Sequence, residues 1–145
     1  MADDRKANLI DGLNKDLEGE YQAIIMYNTY ASSVVGLYRK EVESFFRAEV
    51  PDELAHAKFL ADKIASLGGT PSTRSADVAR AANVRDMLEN AKTAEAETID
   101  RYIERRKQAE EYGDIALVND LEELISDETR HKEDCEKMLR GKWEG

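Results

Sequence analysis

Residues 115–138 read "IALVNDLEELISDETRHKEDCEKM". Taken every third or fourth position, this stretch gives Leu117, Leu121, Leu124, Glu128, His131, Cys135 and Met138. A stripe with that spacing lies along one face of an α-helix and normally points into a core. Here a carboxylate and an imidazole occupy two of its inward positions. Burying such groups is expensive unless they are paired or bound to a metal.

The same irregularity recurs three times. An earlier stripe runs Leu9, Leu13, Leu17, Glu20, Ile24, Tyr27, Ala31, Val34. A second runs Phe46, Glu49, Glu53, His56, Leu60, Ile64, Leu67, and a third Leu88, Ala91, Glu95, Thr98, Tyr102. Glycine-containing punctuation at 34–36, 67–72 and 111–114 separates these stripes, and no alternation typical of strands persists. The pattern predicts an all-α chain with helices at 5–35, 38–67, 83–111 and 115–140, folded as one domain over residues 1–145. Two short connections make each outer pair an antiparallel hairpin. The long "GGTPSTRSADVARAA" between them runs the length of a bundle as a crossover, with room for a short helical turn. Pro51 falls inside the second stripe. Because Phe46 and Glu49 stay in phase with Glu53, His56 and Leu60, the helix is expected to continue through the proline with a kink, despite a cost of about 3 kcal/mol.

Composition narrows the function. A chain of 145 residues with a net charge of −10 and 36% charged side chains is a poor partner for nucleic acid or anionic membranes. It has no apolar run long enough to span a bilayer, and its start, "MADDRKANLIDGL", lacks the apolar segment of a secretion signal. A cytoplasmic protein is expected. The single cysteine, Cys135, can form neither an internal disulfide nor a thiolate metal site, and reads as a small core residue.

Spacing carries the functional reading. The interval from Glu20 to Glu53 equals the interval from Glu95 to Glu128. Both histidines of the chain stand one helical turn after the second glutamate, in "DELAH" and "DETRH". Tyr27 and Tyr102 each lie two turns after the first glutamate of their half. The halves therefore look like pseudo-twofold copies that bring Glu20, Glu53, Glu95, Glu128, His56 and His131 together at mid-bundle. Four carboxylates and two imidazoles are the donor set of a two-metal carboxylate site. They suit iron, with manganese possible and zinc an adventitious occupant.

Three stretches, "LNKDLEGEYQAIIMY" (13–27), "DELAHAKFLADKIASLGGTP" (52–71) and "EEYGDIALVNDLEELISDETRH" (110–131), resemble the helix motifs of the bacterioferritin branch of the ferritin-like superfamily. The resemblance covers most of residues 10–140. It implies a ferritin-like four-helix bundle in which Glu53 and Glu128 bridge two irons, Glu20 and His56 complete one, and Glu95 and His131 the other. It also implies ferroxidation of two Fe²⁺ held about 3.5–4 Å apart, with O2 or H2O2 as oxidant. Tyr27 matches a tyrosine near the family's iron centre, a hydrogen-bond donor and transient electron source. Asp52 and Asp127 are candidate acceptors that orient the histidines, and Glu49 a candidate contact for iron in transit.

The chain departs from that branch at Leu54, where the family's haem-ligating methionine would stand, so no haem is expected. Ala48 replaces an inner-surface iron ligand. Only "KEDCEKMLRGKWEG" follows His131, too little for a fifth helix, with Trp143 past the bundle. The expected protein is thus a cytoplasmic ferroxidase, built as a homodimer rather than as a mineral store. An iron-storage cage, a di-manganese or peroxide-consuming enzyme and a metal-free scaffold are the alternatives. A rubrerythrin reading would want four further cysteines and a glutamate where Thr98 stands.

Overall fold

The computed structural model describes residues 2–141 and contains four long helices: α1 (Ala2–Ser33), α2 (Arg39–Ser66), α3 (Val84–Tyr112) and α4 (Ile115–Arg140). There is no strand among the described residues. Trp143 and the remaining segment past Gly141 lie outside them.

The boundaries follow from local chemistry. At the start of α3 the Asn83 side chain accepts from the Asp86 amide at 2.8 Å, and at the start of α4 Asp114 accepts from Leu117 at 3.0 Å. Each satisfies an amide that the first helical turn leaves open. The helix ends at 66 and 112 are closed by Gly68 and Gly113, whose φ angles of 89° and 96° lie in the left-handed region that a side chain disfavours. Gly113 donates to the Ala109 carbonyl at 3.0 Å, stopping α3 one residue before α4 is capped. The turn between them is therefore tight, and the two helices pack as an antiparallel hairpin, as do α1 and α2.

Pro51 sits inside α2, which runs unbroken on both sides of it. The in-phase burial of Phe46, Glu49, Glu53, His56, Leu60 and Ile64 outweighs the local preference for a new start at the proline.

The crossover, residues 67–83, differs from expectation in one respect: it holds no helical turn. It stays extended because polar side chains of α1 satisfy it from the side. Asn14 bonds Thr70 O at 3.1 Å and the Ser72 amide at 2.8 Å; Glu18 accepts from the Ser72 hydroxyl at 2.7 Å; Gln22 donates to Asp77 O at 2.6 Å. Tyr30 then donates to Ala79 O. Backbone groups partnered in this way gain nothing from forming a helix.

The bundle interior is layered. One apolar cluster contains Leu9, Leu13, Leu17, Leu60, Ile64, Leu117, Leu121 and Leu124. Another contains Tyr27, Val34, Val42, Phe46, Leu88, Ala91 and Cys135. The glutamates and histidines of the four stripes fall between the two along each helix. Among the stripe residues read from the sequence, only Ile24 and Met138 are less than fully buried.

Candidate metal centre

Each helix contributes buried polar groups to the layer: Glu20 from α1, Glu49, Glu53 and His56 from α2, Glu95 and Thr98 from α3, Glu128 and His131 from α4. Donor atoms of Glu20, Glu53, His56 and Glu128 all lie within 4.8 Å of one another, and so do those of Glu53, Glu95, Glu128 and His131. The two groups share Glu53 and Glu128. All six residues singled out by spacing thus meet in one place, and Tyr27 meets them through Glu95.

The imidazoles join the hairpins. His56 Nδ1 lies 2.8 Å from Glu128 Oε1 and 3.7 Å from Glu20 Oε1. His131 Nδ1 lies 3.1 Å from Glu53 Oε1, and 3.9 Å from Oε1 of both Glu95 and Glu128. The outer nitrogens find aspartates across the bundle: His56 Nε2 is 3.2 Å from Asp127, and His131 Nε2 is 3.3 Å from Asp52. An ionised aspartate can only accept, so each Nε2 carries the proton and each Nδ1 turns a lone pair inward once the ring is neutral. Each aspartate serves the histidine of the other hairpin, not its own.

Two tyrosines complete the exchange. Tyr27 donates to Glu95 Oε1 at 2.7 Å, and Tyr102 donates to Glu20 Oε1. Burial, then the charge of the carboxylate each faces, holds both phenols well above their ordinary pKa of 10, so they remain donors.

Crowding of carboxylates dominates the metal-free electrostatics. Burial and the neighbouring Glu20 hold Glu53 well above the usual carboxylate range, and burial with the adjoining Glu128 does the same for Glu95. Burial also resists ionisation of Glu128, but the adjoining Glu95 and His56 outweigh it and bring that carboxyl down to about 2. Burial opposes charge on His56, yet Glu128 and Glu20 push it up to about 11. Protons thus stand in for cations.

Several donor atoms nevertheless have no hydrogen-bond partner: Oε2 of Glu20 and Glu95, both carboxylate oxygens of Glu53 and Glu128, and Nδ1 of both histidines. Buried polar atoms are rarely left so. Their number, their convergence and their oxygen-rich, nitrogen-containing character fit two divalent cations of the iron or manganese type. Cys135, in contrast, is buried in the apolar cluster, and burial followed by the Glu95 carboxylate lifts its thiol to about 12, as suits a packing residue.

Two features of the site escape a reading of the sequence. Tyr102 is legible as a spacing but not as a partner of Glu20. The other is a buried ion pair one turn from Glu20: Asp16, 1% exposed, accepts from Arg105 at 2.8 and 3.2 Å. Gly12 leaves the room it needs, since a Cβ there would lie 1.8 Å from Arg105 Nη1. Two glycines on one face of a long helix, Gly12 and Gly19, are the signal that could have revealed it.

Fold and site together define a four-helix di-metal carboxylate protein. The family model for the ferritin-like domain matches residues 10–141, and the chain belongs to that family. It is 32% identical over 130 residues to a bacterioferritin of Desulfovibrio desulfuricans, an alignment covering 89% of this chain and 73% of that protein. The crystal structure of that organism's bacterioferritin, described as having a diiron site in different catalytic states, superposes with a TM-score of 0.88 at 30% identity, covering 96% of this chain and 82% of the other. A ferritin-like, diiron-carboxylate protein from Bacillus anthracis is more similar: 48% identity, a TM-score of 0.93, and coverage of 94% and 98%. The chain is therefore a bacterioferritin-like member of the ferritin-like family.

Proposed function

We propose that this chain is a ferroxidase: it oxidises Fe²⁺ to Fe³⁺, with O2 or H2O2 as electron acceptor. One observation carries the reading, namely two four-residue donor sets that share Glu53 and Glu128. In this reading Glu20 and His56 complete one iron position and Glu95 and His131 the other, with the two shared glutamates bridging. Two ferrous ions bound side by side supply two electrons to one oxidant molecule, which avoids releasing a one-electron product.

The chain's own groups do the rest. Four carboxylates offset the charge of two divalent ions. Asp127 and Asp52 hold the imidazoles in the tautomer that ligation needs. Tyr27 holds Glu95 in place and is a source of a further electron. Leu54 is exposed and has no ligating atom, so haem has no part in the reading.

We further propose a cytoplasmic homodimer. A reducing compartment suits a chain whose one cysteine is buried and unpaired. No described helix is long and apolar enough to cross a membrane.

Anaerobic titration with Fe²⁺, followed by O2 or H2O2, tests the site. The expected break is at two irons per chain, and a break near one or none refutes the paired centre. Metal analysis of protein produced with iron and manganese both available decides between ferroxidase and di-manganese chemistry. Native mass decides between a dimer and a mineral-holding cage.

A further inference from the structure

Tyr102 has no part in the reaction as set out above. It is completely buried, and its hydroxyl donates to Glu20 Oε1. Tyr27, equally buried, donates to Glu95 Oε1. The positions correspond: the step along the chain from Tyr27 to Tyr102 is the same as that from Glu20 to Glu95. Each phenol comes from one hairpin and bonds the outer glutamate of the other. Each of those glutamates keeps Oε2 without a partner, so one oxygen holds a phenol while the other is free for an ion.

A neutral phenol gives up an electron readily when its proton can leave at the same moment, and a carboxylate at hydrogen-bond distance receives that proton. Full reduction of O2 to water takes four electrons, and two ferrous ions supply two. We propose that Tyr102 and Tyr27 form a matched pair of one-electron, one-proton donors that supply the other two when O2 is the oxidant.

The step balances. One O2, two Fe²⁺, two tyrosines and two solvent protons give two Fe³⁺, two neutral phenoxyl radicals and two waters. The O–O bond and both phenolic O–H bonds break, and four water O–H bonds form. The phenolic protons leave through Glu95 and Glu20. Two further Fe²⁺, each with one proton, return the phenoxyls to tyrosine, so that four Fe²⁺ are consumed per O2. This inference rests on the ferroxidase reading and requires the second tyrosine as well as the first.

The test uses the full chain with two Fe²⁺ loaded anaerobically, mixed with O2, and freeze-quenched for electron paramagnetic resonance, with H2O2 assayed in parallel. Tyr27→Phe, Tyr102→Phe and the double variant keep the rings that pack the core. The expected phenoxyl signal falls to about half in each single variant and vanishes in the double, which releases about one H2O2 per O2 where the wild type releases none. A signal abolished by Tyr27→Phe alone, absent from the wild type, or unchanged in Tyr102→Phe overturns the pair. Co²⁺ binding by calorimetry gives a reading without oxidation. A Tyr102 that merely holds Glu20 would weaken Co²⁺ binding in Tyr102→Phe and leave the signal at its wild-type height, which also overturns the proposal. Should wild-type protein fail to oxidise Fe²⁺ at all, the ferroxidase reading falls too. Normal iron oxidation without the spin pattern removes only the tyrosine pair.

Discussion

Loading two divalent cations into the metal-free protein at pH 6 should expel about four protons per chain. The number comes from four residues, one proton each. Burial and like charge hold Glu53 and Glu95 well above their ordinary 4.5, which favours the protonated form of both in the empty centre. His56, against the pull of burial, is pushed up to about 11 by Glu128 and Glu20. His131 is raised from 6.5 because its pairing with Glu49 and Glu128 outweighs burial. A metal ligand must be a bare carboxylate or a neutral imidazole, so all four protons must leave. Affinity therefore rises with pH. Each released proton adds about 1.4 kcal/mol per pH unit, or about 5 kcal/mol for the pair of ions while all four groups remain protonated. The assay is calorimetric titration with Zn²⁺, which keeps oxidation out of the measurement, in buffers of different ionisation enthalpy. The slope of apparent enthalpy against buffer enthalpy is the proton count. Fewer than about two protons at pH 6, or an affinity indifferent to pH, would refute the electrostatics described for this centre.

Three other expectations can be checked on the same protein. Arg105→Ala leaves the buried Asp16 carboxylate only the more distant Arg101, at 3.8 Å, and should cost about 3–5 kcal/mol in urea denaturation, while Asp16→Ala combined with it should cost much less than the two single changes added together; additive losses would show that the pair is not coupled. Gly12→Ala would gain about 0.5–1 kcal/mol from helix propensity at an open site, but here the new Cβ meets the Arg105 guanidinium, and a net loss of about 1–3 kcal/mol is expected from thermal melts. Asp127→Asn should weaken Co²⁺ binding by about 10–100-fold, and Asp52→Asn by less, because His131 Nε2 still has Glu49 Oε2 at 2.9 Å. A larger effect at Asp52 would contradict that assignment.

The parts of this molecule legible from sequence are those written in local periodicity. Glu20, Glu53, Glu95 and Glu128 can be picked out because each interrupts an apolar stripe at a core position, and burial in α1 to α4 follows those stripes. The equal glutamate-to-glutamate spacing within each half brings them to one level of the bundle. Pro51 is readable for the same reason, since phase on both sides of it is a stronger signal than its own propensity. What periodicity cannot carry is lateral pairing. The crossover is open to a helical turn until Asn14, Glu18 and Gln22 are seen to bond its backbone. Asp16 lies beside the Leu13 and Leu17 stripe and looks like a helix acid, because its partner Arg105 is far along the chain, on α3. Nor does adjacency to His56 tell that Asp52 serves His131 instead.

That crossing of partners has a consequence for how the centre is held. Glu20 is bonded by Tyr102, Glu95 by Tyr27, His56 by Asp127 and His131 by Asp52, so every one of these contacts joins one hairpin to the other. Neither hairpin alone can present a finished donor set, and forming the centre is the same event as docking the halves. Apolar clusters on either side then fix the separation of the four crowded carboxyl groups, so that the donor set is held ready for cations to replace its protons. The correspondence between the halves fails at one useful place: Glu49 of the first is matched by Leu124 of the second. His131 therefore faces an extra carboxylate that His56 lacks, and the two donor sets, alike in residue types, differ in what stands behind them.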